Sequence, residues 1–537
     1  MSISQIFDTN NSAAVIVTII ACFASLIFFK AKKNSTTEKK PHPLPPNGPS
    51  FQQMFLEGGL QAQNQLEIVK AYGTTFTIPS PLPLLIPNQV VICEPAVVKE
   101  LCIKQANMYR PPSNFTTRTD VFGKAVQKVA GRGVTGLKGD EWQWRKKALL
   151  KEFHRNKLLS DEKGLLQVII DKGRHLCQKL QDASEKGEVV EADVLTTEAT
   201  VGVVLFFLFG RQLQFDTKKV RLAAKQMIEC LLARLTDPLY EVKKYIPTTS
   251  AYQTEITLKH SQKVVDDVVG SEVDLMLEEY YGRVDVHQDR KKGSVIATLI
   301  ENEPRFREHG KQSMLAEEAR VLVQAGFDTT AHSLAFTMGM MAERPDLADS
   351  MAECGKNAFG LPDEVKMNDI VHNDELWNEY FSVDKMKDAL EKTQIVNNFF
   401  HESLRLYPLV PSLGGLCTGD VVIETKHGKK YTLPNGTATL FLNVPLQRVH
   451  LSKPNEIIPD RWNTEHVRDQ PFLHTFQNGP HICPGKPLSL LEGRVFLLLI
   501  VMLFEFDFNE GTSKVEFEDS GLLRPKDGML LIVKKRL

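Results

Sequence analysis

The sequence predicts a mainly α-helical fold with small β-sheets, an α+β class in which one large domain follows an apolar amino-terminal segment. Long stretches have the apolar periodicity of helices. The clearest is residues 314–344, which Pro345 follows as a helix stop signal. Short β-rich pieces lie between the helical stretches, at residues 74–78, 84–93, 420–424 and 437–442. We find no internal repeat and no second linker after Phe51, which favours a single domain.

The composition is that of an ordinary globular protein. The chain has 537 residues, of which 42% are hydrophobic and 24% charged, with a formal net charge of −1. This near-neutral balance gives no electrostatic reason to expect a nucleic-acid partner. The eight cysteines are scattered without CxxC or zinc-like spacing, which indicates a reducing compartment.

The amino terminus predicts a membrane anchor. Residues 12–29 are 18 in a row without a charge, about the minimum for a span, and lysines follow them. The positive-inside rule then places the remainder of the chain in the cytosol. A cleaved signal peptide is the alternative, but it would begin with basic residues and end at a small-residue cleavage site.

These features divide the chain into three parts. We expect residues 1–33 to form the anchor and its basic flank. Residues 34–50, with five prolines between positions 41 and 49, predict a stiff hinge. Residues 51–537 are then expected to form one large domain. No other stretch is expected to span a membrane, because residues 495–504 are apolar but too short and predict a buried helix.

A single cysteine lies in a loop rich in glycine and proline at residues 476–486. Cys483 is flanked by Gly479 and Gly485 and precedes a segment of helical composition. It could be a packing residue, a nucleophile or a metal ligand. A position near a helix amino terminus favours a thiolate over a thiol, and the glycines allow backbone to approach the sulfur.

Two further patterns occur within predicted helices. Residues 325–330, AGFDTT, place a glycine, Asp328 and Thr329 inside the long apolar helix. This polar interruption indicates either a bound group or a solvated helical face. Glu402 and Arg405 share one helical face at i, i+3, as a buried pair or as a common surface pair.

Two patterns involve anion-binding chemistry. Trp142 and Lys146 stand at helical spacing, as an anion clamp or as the start of a surface helix. Residues 131–136 match GxGxxG, but no strand precedes them and no acidic-ended strand follows about 20 residues on. We therefore expect a glycine-rich loop there and no nucleotide site.

Taken together, in order and spacing, these motifs resemble the cytochrome P-450 superfamily of haem-thiolate monooxygenases. The resemblance covers essentially the whole chain and is closest to the microsomal, membrane-anchored branch. Residues 476–485 are similar to the family's haem-binding loop, and residues 325–330 to its oxygen-activating helix. Glu402 and Arg405 match its buried Glu/Arg helix, which Arg461 of the segment 455–462 joins in a network.

The resemblance implies haem b as the cofactor, with Cys483 as the proximal iron ligand. It implies cofactor contacts from residues of three segments, namely Phe476, Gly479, His481, Gly485, Trp142, Lys146, Ala325 and Gly326. Asp328 and Thr329 are the implied catalytic pair, in which a carboxylate feeds protons to an alcohol beside bound dioxygen. Glu402, Arg405 and Arg461 are the implied structural network.

The resemblance also implies a reaction and partners. The expected activity is hydroxylation or further oxidation of a C–H bond in a small lipophilic molecule, with terpenoid or other specialised metabolism preferred. Electrons would come from a membrane-bound NADPH–cytochrome P-450 reductase, with cytochrome b5 as a further donor, at the endoplasmic reticulum. A basic patch for such a donor could comprise Arg145, Lys146, Lys147, Lys151 and Lys486.

Two alternatives remain within haem-thiolate proteins. One is an isomerase or dehydratase that needs neither oxygen nor reductase, and the other is a non-catalytic, membrane-tethered haem-binding protein. The intact pair Asp328 and Thr329 favours the monooxygenase over both.

The sequence departs from the family pattern around the haem propionates. His481 and Lys146 stand where the family most often has arginine, and residues 411–420 contain no arginine. Histidine and lysine lack the bidentate fork of a guanidinium. We therefore expect a haem that exchanges more readily than usual. Before Glu402, the acidic stretch 363–379 is expected to be a surface insertion.

Overall fold

The computed structural model describes residues 43–536 apart from short gaps, which are positions 56, 58–59, 81–87, 107–114, 117–119, 161–163, 237–238, 292, 308–311, 363–366, 464–472, 510 and 520. The predicted anchor, residues 1–33, lies outside the described residues, as does the hinge up to residue 42.

Helices make up most of the described chain. In chain order they are α1 (Phe51–Phe55), α2 (Ala62–Tyr72), α3 (Pro95–Lys99), α4 (Asp120–Ala130), α5 (Gly139–Glu152), α6 (Arg155–Leu158), α7 (Leu165–Lys186), α8 (Ala192–Phe209), α9 (Thr217–Thr236), α10 (Tyr240–Lys243), α11 (Ser250–Tyr280), α12 (Val295–Asn302), α13 (Gln312–Glu343), α14 (Pro345–Phe359), α15 (Met367–His372), α16 (Asp374–Tyr380), α17 (Val383–Lys392), α18 (Gln394–Leu406), α19 (Asn443–Leu446) and α20 (Lys486–Leu503). A π-helical turn, Glu100–Gln105, follows α3.

The strands are short and form small sheets. They are β1 (Thr75–Ile78), β2 (Gln89–Ile92), β3 (Phe115–Thr116), β4 (Val189–Glu191), β5 (Ser412–Cys417), β6 (Val421–Glu424), β7 (Lys430–Leu433), β8 (Ala438–Leu442), β9 (Phe504–Phe508), β10 (Phe517–Asp519), β11 (Leu523–Pro525) and β12 (Leu530–Lys535). The mainly helical class with small sheets is thus confirmed, and each predicted β-rich piece contains a strand.

The largest sheet among the described residues has the strand order β1-β2-β8-β5-β3. Its β2–β8 pair is parallel, with Val90 opposite Thr439, and its other pairs are antiparallel. A second sheet, β4-β12-β9, joins the start of α8 to the carboxyl-terminal end of the chain. Phe504 and Leu531 of the second sheet pack into the main helical core, whereas the five-stranded sheet packs in smaller clusters of its own.

Helix α13 crosses the core. Its 32 residues extend about 48 Å at ~1.5 Å per residue. The hydroxyl of Thr196 on α8 donates to the carbonyl oxygen of Ala331 at 3.0 Å. The hydroxyl of Thr330 donates to that of Ser489 on α20 at 3.1 Å. These bonds fix α13 between the helix that follows the cysteine loop and a second buried helix.

The expected polar interruption at residues 325–330 does not break α13, which is helical throughout. The hydroxyl of Thr329 donates to the carbonyl oxygen of Ala325 at 2.9 Å, and that of Ser333 to Thr329 at 3.0 Å. Hydroxyls of this kind can bond to carbonyl oxygens of the preceding turn, so these polar side chains do not interrupt the helix.

Two described segments bear on the predicted organisation of the chain. Helix α8 is also long and apolar enough to span a bilayer, so the amino-terminal stretch is not the sole candidate, but 72% of α8 is buried in the core. Residues 43–50, the described part of the predicted hinge, contact β1: the backbone N–H of Gly48 donates to the carbonyl oxygen of Thr77, and the N–H of Thr77 donates to the carbonyl oxygen of Pro46. The folded body thus begins before Phe51.

The segment before Glu402 is ordered around one aromatic side chain. Within it, α15 and α16 lie beside α7, where Arg174 donates to Val371 and Asp374. Trp377 is 1% exposed, and the Arg174 guanidinium lies 5.2 Å from the centroid of its ring. This part of the predicted surface insertion is therefore held to the core by a buried tryptophan.

Candidate active site

The cysteine loop places Cys483 three residues before α20, as the sequence predicts. The Cys483 N–H donates to the carbonyl oxygen of Phe476 at 2.8 Å, and the Ile482 N–H donates to Gly479 at 3.0 Å. Gln477 has a φ of 59°, a left-handed conformation uncommon for a residue with a side chain. The loop is a tight, internally bonded turn that aims one side chain outward.

Cys483 differs from the other cysteines in exposure. Of the seven in the described part of the chain, it alone is exposed, and no disulfide joins any of them. Burial raises the pKa of Cys93 and of Cys102 to about 12, so these two remain thiols at neutral pH. Among the described residues, Cys483 is therefore the one cysteine classed as exposed, and Cys354 is partly exposed.

Of the loop glycines, Gly479 is required by a close backbone contact. Gly479 has a φ of 69°, and a Cβ there would lie 1.9 Å from the carbonyl oxygen of Cys102. A Cβ on Gly485 would lie 3.7 Å from the Cys483 sulfur, an ordinary van der Waals distance. Only glycine fits at position 479, where the loop touches the π-helical turn.

Helix α5 brings Trp142 and Lys146 to this loop, and both are buried. The Lys146 ammonium donates to the carbonyl oxygens of Pro480 and Ile482, both at 2.6 Å. These carbonyls flank His481, whose ring lies 4.5 Å from that of Trp142, centroid to centroid. The default interpretation of this motif as the start of a surface helix is wrong.

Some residues at the centre of helix α13 are exposed on one face of the helix. Ala325 is exposed, and Gly326 and Thr329 are partly exposed, although most of the helix around them is buried. Asp328 is 5% exposed. Burial raises the pKa of its carboxyl group, an effect that the neighbouring His332 opposes. Asp328 can therefore hold a proton at a pH where an exposed aspartate is ionised.

The Glu402 carboxylate is the centre of a buried network. It accepts from Arg405 at 2.6 and 2.9 Å, and from Arg461 at 3.3 Å. The indole N–H of Trp462 and the backbone N–H of Ile458 also donate to it, both at 3.0 Å. Glu402 and Arg405 are fully buried, so the interpretation as a surface pair is wrong.

The residues present fit a haem held by Cys483. The sulfur is accessible, and the Trp142 Nε1 is a buried donor without a hydrogen-bond partner among the described residues. Buried donors of this kind usually have an acceptor, which a carboxylate of the cofactor could provide. The small, exposed side chain of Ala325 leaves room for a flat group on this face of α13.

The expected basic patch is only partly available for docking. Arg145 is 1% exposed and pairs with Glu141 at 2.6 Å and Glu318 at 3.1 Å. Lys146 is buried against the cysteine loop, as described above. Lys147 and Lys151 are exposed, and Lys486 is half-buried. Arg145 and Lys146 thus have structural contacts and are not part of the patch.

Sequence reasoning missed one group of residues beside the site. His332, one turn after Asp328, lies 3.2 Å from Asp193 of α8, measured from Nε2 to Oδ1. Its spacing from Asp328 was visible as i, i+4, but Asp193 is distant in sequence. No local pattern could have paired them.

Residues 131–136 form the glycine-rich loop that the sequence predicts, in which the Val134 N–H donates to the Glu318 carboxylate at 2.9 Å.

A comparison with protein families gives one match across most of the chain. A model described as "Cytochrome P450" matches residues 40–533. It therefore includes the cysteine loop, α13, α18 and the described part of the hinge.

Comparison with curated proteins gives relatives at low identity. "Cytochrome P450 3A6" of Oryctolagus cuniculus is 23% identical over 458 residues, which cover 83% of each chain. "Cytokinin hydroxylase" of Arabidopsis thaliana is 22% identical, covering 81% of this chain and 78% of the relative. "Protein LUTEIN DEFICIENT 5, chloroplastic" of Arabidopsis thaliana is 20% identical, covering 83% and 70%. These names describe different proteins, so the similarity extends to the family and not to a substrate.

Proposed function

This chain belongs to the cytochrome P450 family and is a haem-thiolate monooxygenase, and we propose that Cys483 is its iron ligand and that it oxidises a small lipophilic substrate. The observation that carries the proposal is the exposed Cys483 in a bonded loop at the start of α20. Members of the family take electrons from a redox partner and use dioxygen.

The haem, once bound, supplies oxygen activation and the oxidation itself, which the electron-donating thiolate favours. The chain holds and orients the cofactor. Cys483 gives its sulfur, and Phe476, Gly479 and Gly485 shape the loop. In this proposal Trp142 and His481, whose rings lie together beside the loop, donate N–H groups to a propionate. Lys146 fixes the loop through the carbonyls of Pro480 and Ile482.

Asp328 and Thr329 are the proposed proton-handling residues. Asp328 is buried and its pKa is raised, so its carboxyl group can carry the proton that dioxygen cleavage consumes. Thr329 is partly exposed, and its hydroxyl needs only to turn from the Ala325 carbonyl to donate into the site. Neighbouring residues on one helix thus hold a proton and pass it on.

We propose an NADPH-dependent flavoprotein reductase as the electron donor, with cytochrome b5 as a further one. Lys147 and Lys151 are exposed on α5, the helix that also supplies Trp142, and can attract an acidic donor. The substrate class within lipophilic molecules, terpenoid or other specialised metabolites, is a preference from sequence divergence.

We propose attachment to the endoplasmic reticulum with a cytosolic catalytic domain. The uncharged residues 12–29 support this, as does a group of exposed apolar side chains at Val242 (59% exposed), Tyr245 (75%) and Ile246 (43%). Such side chains gain by entering a bilayer surface. Trypsin added to intact microsomes should digest the catalytic domain, whereas protection would contradict this orientation.

The test of the function is spectroscopic and then enzymatic. The reduced protein with carbon monoxide should show the red-shifted Soret band of a cysteine thiolate, and Cys483→Ser should lose it. Cys354→Ser, at a partly buried cysteine outside the loop, is the matched control and should keep it. NADPH-dependent product formation with a reductase then distinguishes a monooxygenase from an isomerase, which would act without NADPH.

A further inference from the structure

Asp328 is buried on the side of α13 that packs against α8. The Thr196–Ala331 hydrogen bond joins the two helices at this level. If Asp328 gives up a proton in each cycle, it must regain one from solvent. A carboxyl group that is 5% exposed needs other side chains to carry that proton.

His332 and Asp193 connect Asp328 to the surface. His332 lies one helical turn after Asp328, and its Nε2 is 3.2 Å from Oδ1 of Asp193 in the first turn of α8. The side chain of Asp193 is 19% exposed and that of His332 is 4% exposed. The exposed fraction therefore decreases from Asp193 to His332, so the pair extends from the surface into the core.

Both groups have unused hydrogen-bonding capacity. In the described part of the chain, the buried atoms Nδ1 of His332 and Oδ1 of Asp193 have no hydrogen-bond partner. The 3.2 Å contact is thus an ion-pair distance without hydrogen-bond alignment. Most buried polar atoms are bonded, and a neutral imidazole has one donor and one acceptor nitrogen. A ring that is not locked by two bonds can exchange its tautomer.

We propose that Asp193 and His332 form a relay that returns protons from solvent to Asp328. Asp193 takes a proton from water and passes it to Nε2 of His332, and the ring releases the proton on Nδ1 towards Asp328. One proton moves inwards and leaves the neutral ring as the other tautomer, and tautomer exchange then restores the first form for the next cycle. Both residues act through Asp328 as positioning residues, so the inference rests on the proposed function.

Other charged groups face Asp328 from the elements packed around it. Arg221 of α9 and Arg524 of β11 favour its ionised form, as does His332 when protonated, while Asp193 and burial favour the neutral form. The pH dependence of the relay therefore reflects all of these charges.

The first experiment uses the full chain with haem and reductase. His332→Gln and Asp193→Asn should keep the reduced–carbon monoxide band but lower turnover at pH 8 roughly tenfold. This loss is smaller than the ~100-fold or more expected when a direct general acid is removed. Their solvent deuterium isotope effects should increase, and Asp193→Glu should restore turnover. Thr196→Val removes an interhelical bond at the same contact and should change neither the pH profile nor the isotope effect.

A second readout does not depend on turnover. The protonated carboxyl group of Asp328 gives an infrared carbonyl band, which is identified by its loss in Asp328→Asn. The pH midpoint at which this band titrates should differ between His332→Gln and the parent protein. If the parent protein turns over normally while His332→Gln keeps its pH profile, isotope effect and band midpoint, the relay is overturned and the proposed function stands. If the parent protein lacks the reduced–carbon monoxide band, the proposed function itself fails.

Discussion

The indole of Trp142 lies against the imidazole of His481, with ring centroids 4.5 Å apart and ring planes inclined at 42°. Both side chains are buried beside the loop that carries Cys483. They offer N–H donors on rigid rings, where a guanidinium would offer a fixed charge and a bidentate fork. If these rings hold the haem carboxylates as proposed, we expect the affinity to depend on packing more than on charge.

Replacing His481 with arginine should strengthen haem retention. A hydrogen bond to a charged group is worth ~1.5–3 kcal/mol, so we expect His481→Arg to slow haem transfer to an acceptor apoprotein by about tenfold. Soret absorbance follows the transfer. His427→Arg, at an exposed histidine, is the control for added charge alone. Unaltered retention in His481→Arg would count against weak propionate binding.

Removing the Thr329 hydroxyl should uncouple electron consumption from product. In Thr329→Ala, we expect NADPH oxidation to continue while most electrons appear as hydrogen peroxide, because the proton is no longer delivered in place. Product and peroxide are measured per NADPH. Thr330→Val removes the next hydroxyl, which is bonded to Ser489, and should stay coupled. Equal uncoupling in both variants would show that helix packing, and not proton delivery, is responsible.

Removing the Glu402 carboxylate should destabilise the fold strongly. Glu402→Ala leaves Arg405 buried without its counter-charge, which costs ~3–5 kcal/mol of unfolding free energy. Glu67→Ala breaks an i, i+3 pair of the same type whose side chains are about 70% exposed, and should cost less than ~1 kcal/mol. Urea unfolding of both measures the difference. If Glu402→Ala does not fold, Glu402→Gln removes the charge with a smaller change in side-chain volume and allows the same comparison. Similar losses of unfolding free energy at the two sites would contradict the prediction.

Glu492 should make stability depend on pH. It is 1% exposed on α20, neither carboxylate oxygen has a hydrogen-bond partner among the described residues, and burial raises its pKa well above the ordinary value. The folded state therefore binds a proton that the unfolded state loses at lower pH, so the stability of the parent protein falls as pH rises above the unfolded pKa.

Glu492→Gln tests this directly. The variant should match the parent protein near pH 4 and exceed it in urea midpoint at pH 8, because an amide has no charge to suppress. Glu67→Gln, at an exposed carboxyl group, should show no such gain. A Glu492→Gln variant that is less stable than the parent at pH 8 would mean that the carboxylate has a charged partner.

Local sequence patterns predicted the parts of the site that are close in sequence. The cysteine loop before α20 and the pair of Glu402 and Arg405 follow from turn residues, helix composition and i, i+3 spacing. The residues that sequence reasoning misplaced depend on distant contacts. Arg145 was expected in a surface patch, but Glu318 of α13 neutralises it in the core.

The same limit applies to apolar stretches and to proton-carrying side chains. Helix α8 and residues 12–29 are both apolar over 18 residues, and only tertiary packing shows that α8 belongs to the core. Asp193 and His332 are ordinary residues in sequence and become a pair because α8 packs on α13. Periodicity reports which face is buried but not which partner covers it.

Backbone contact at Gly479 also limits how this enzyme can be diversified. Because a side chain there would overlap the carbonyl oxygen of Cys102, the cysteine loop and the π-helical turn are fitted to each other main chain to main chain. No rotamer change can relieve such an overlap. A saturation library at position 479 should return glycine alone after selection for folded protein, and loops grafted from relatives should be accepted only together with their own version of the segment around Cys102.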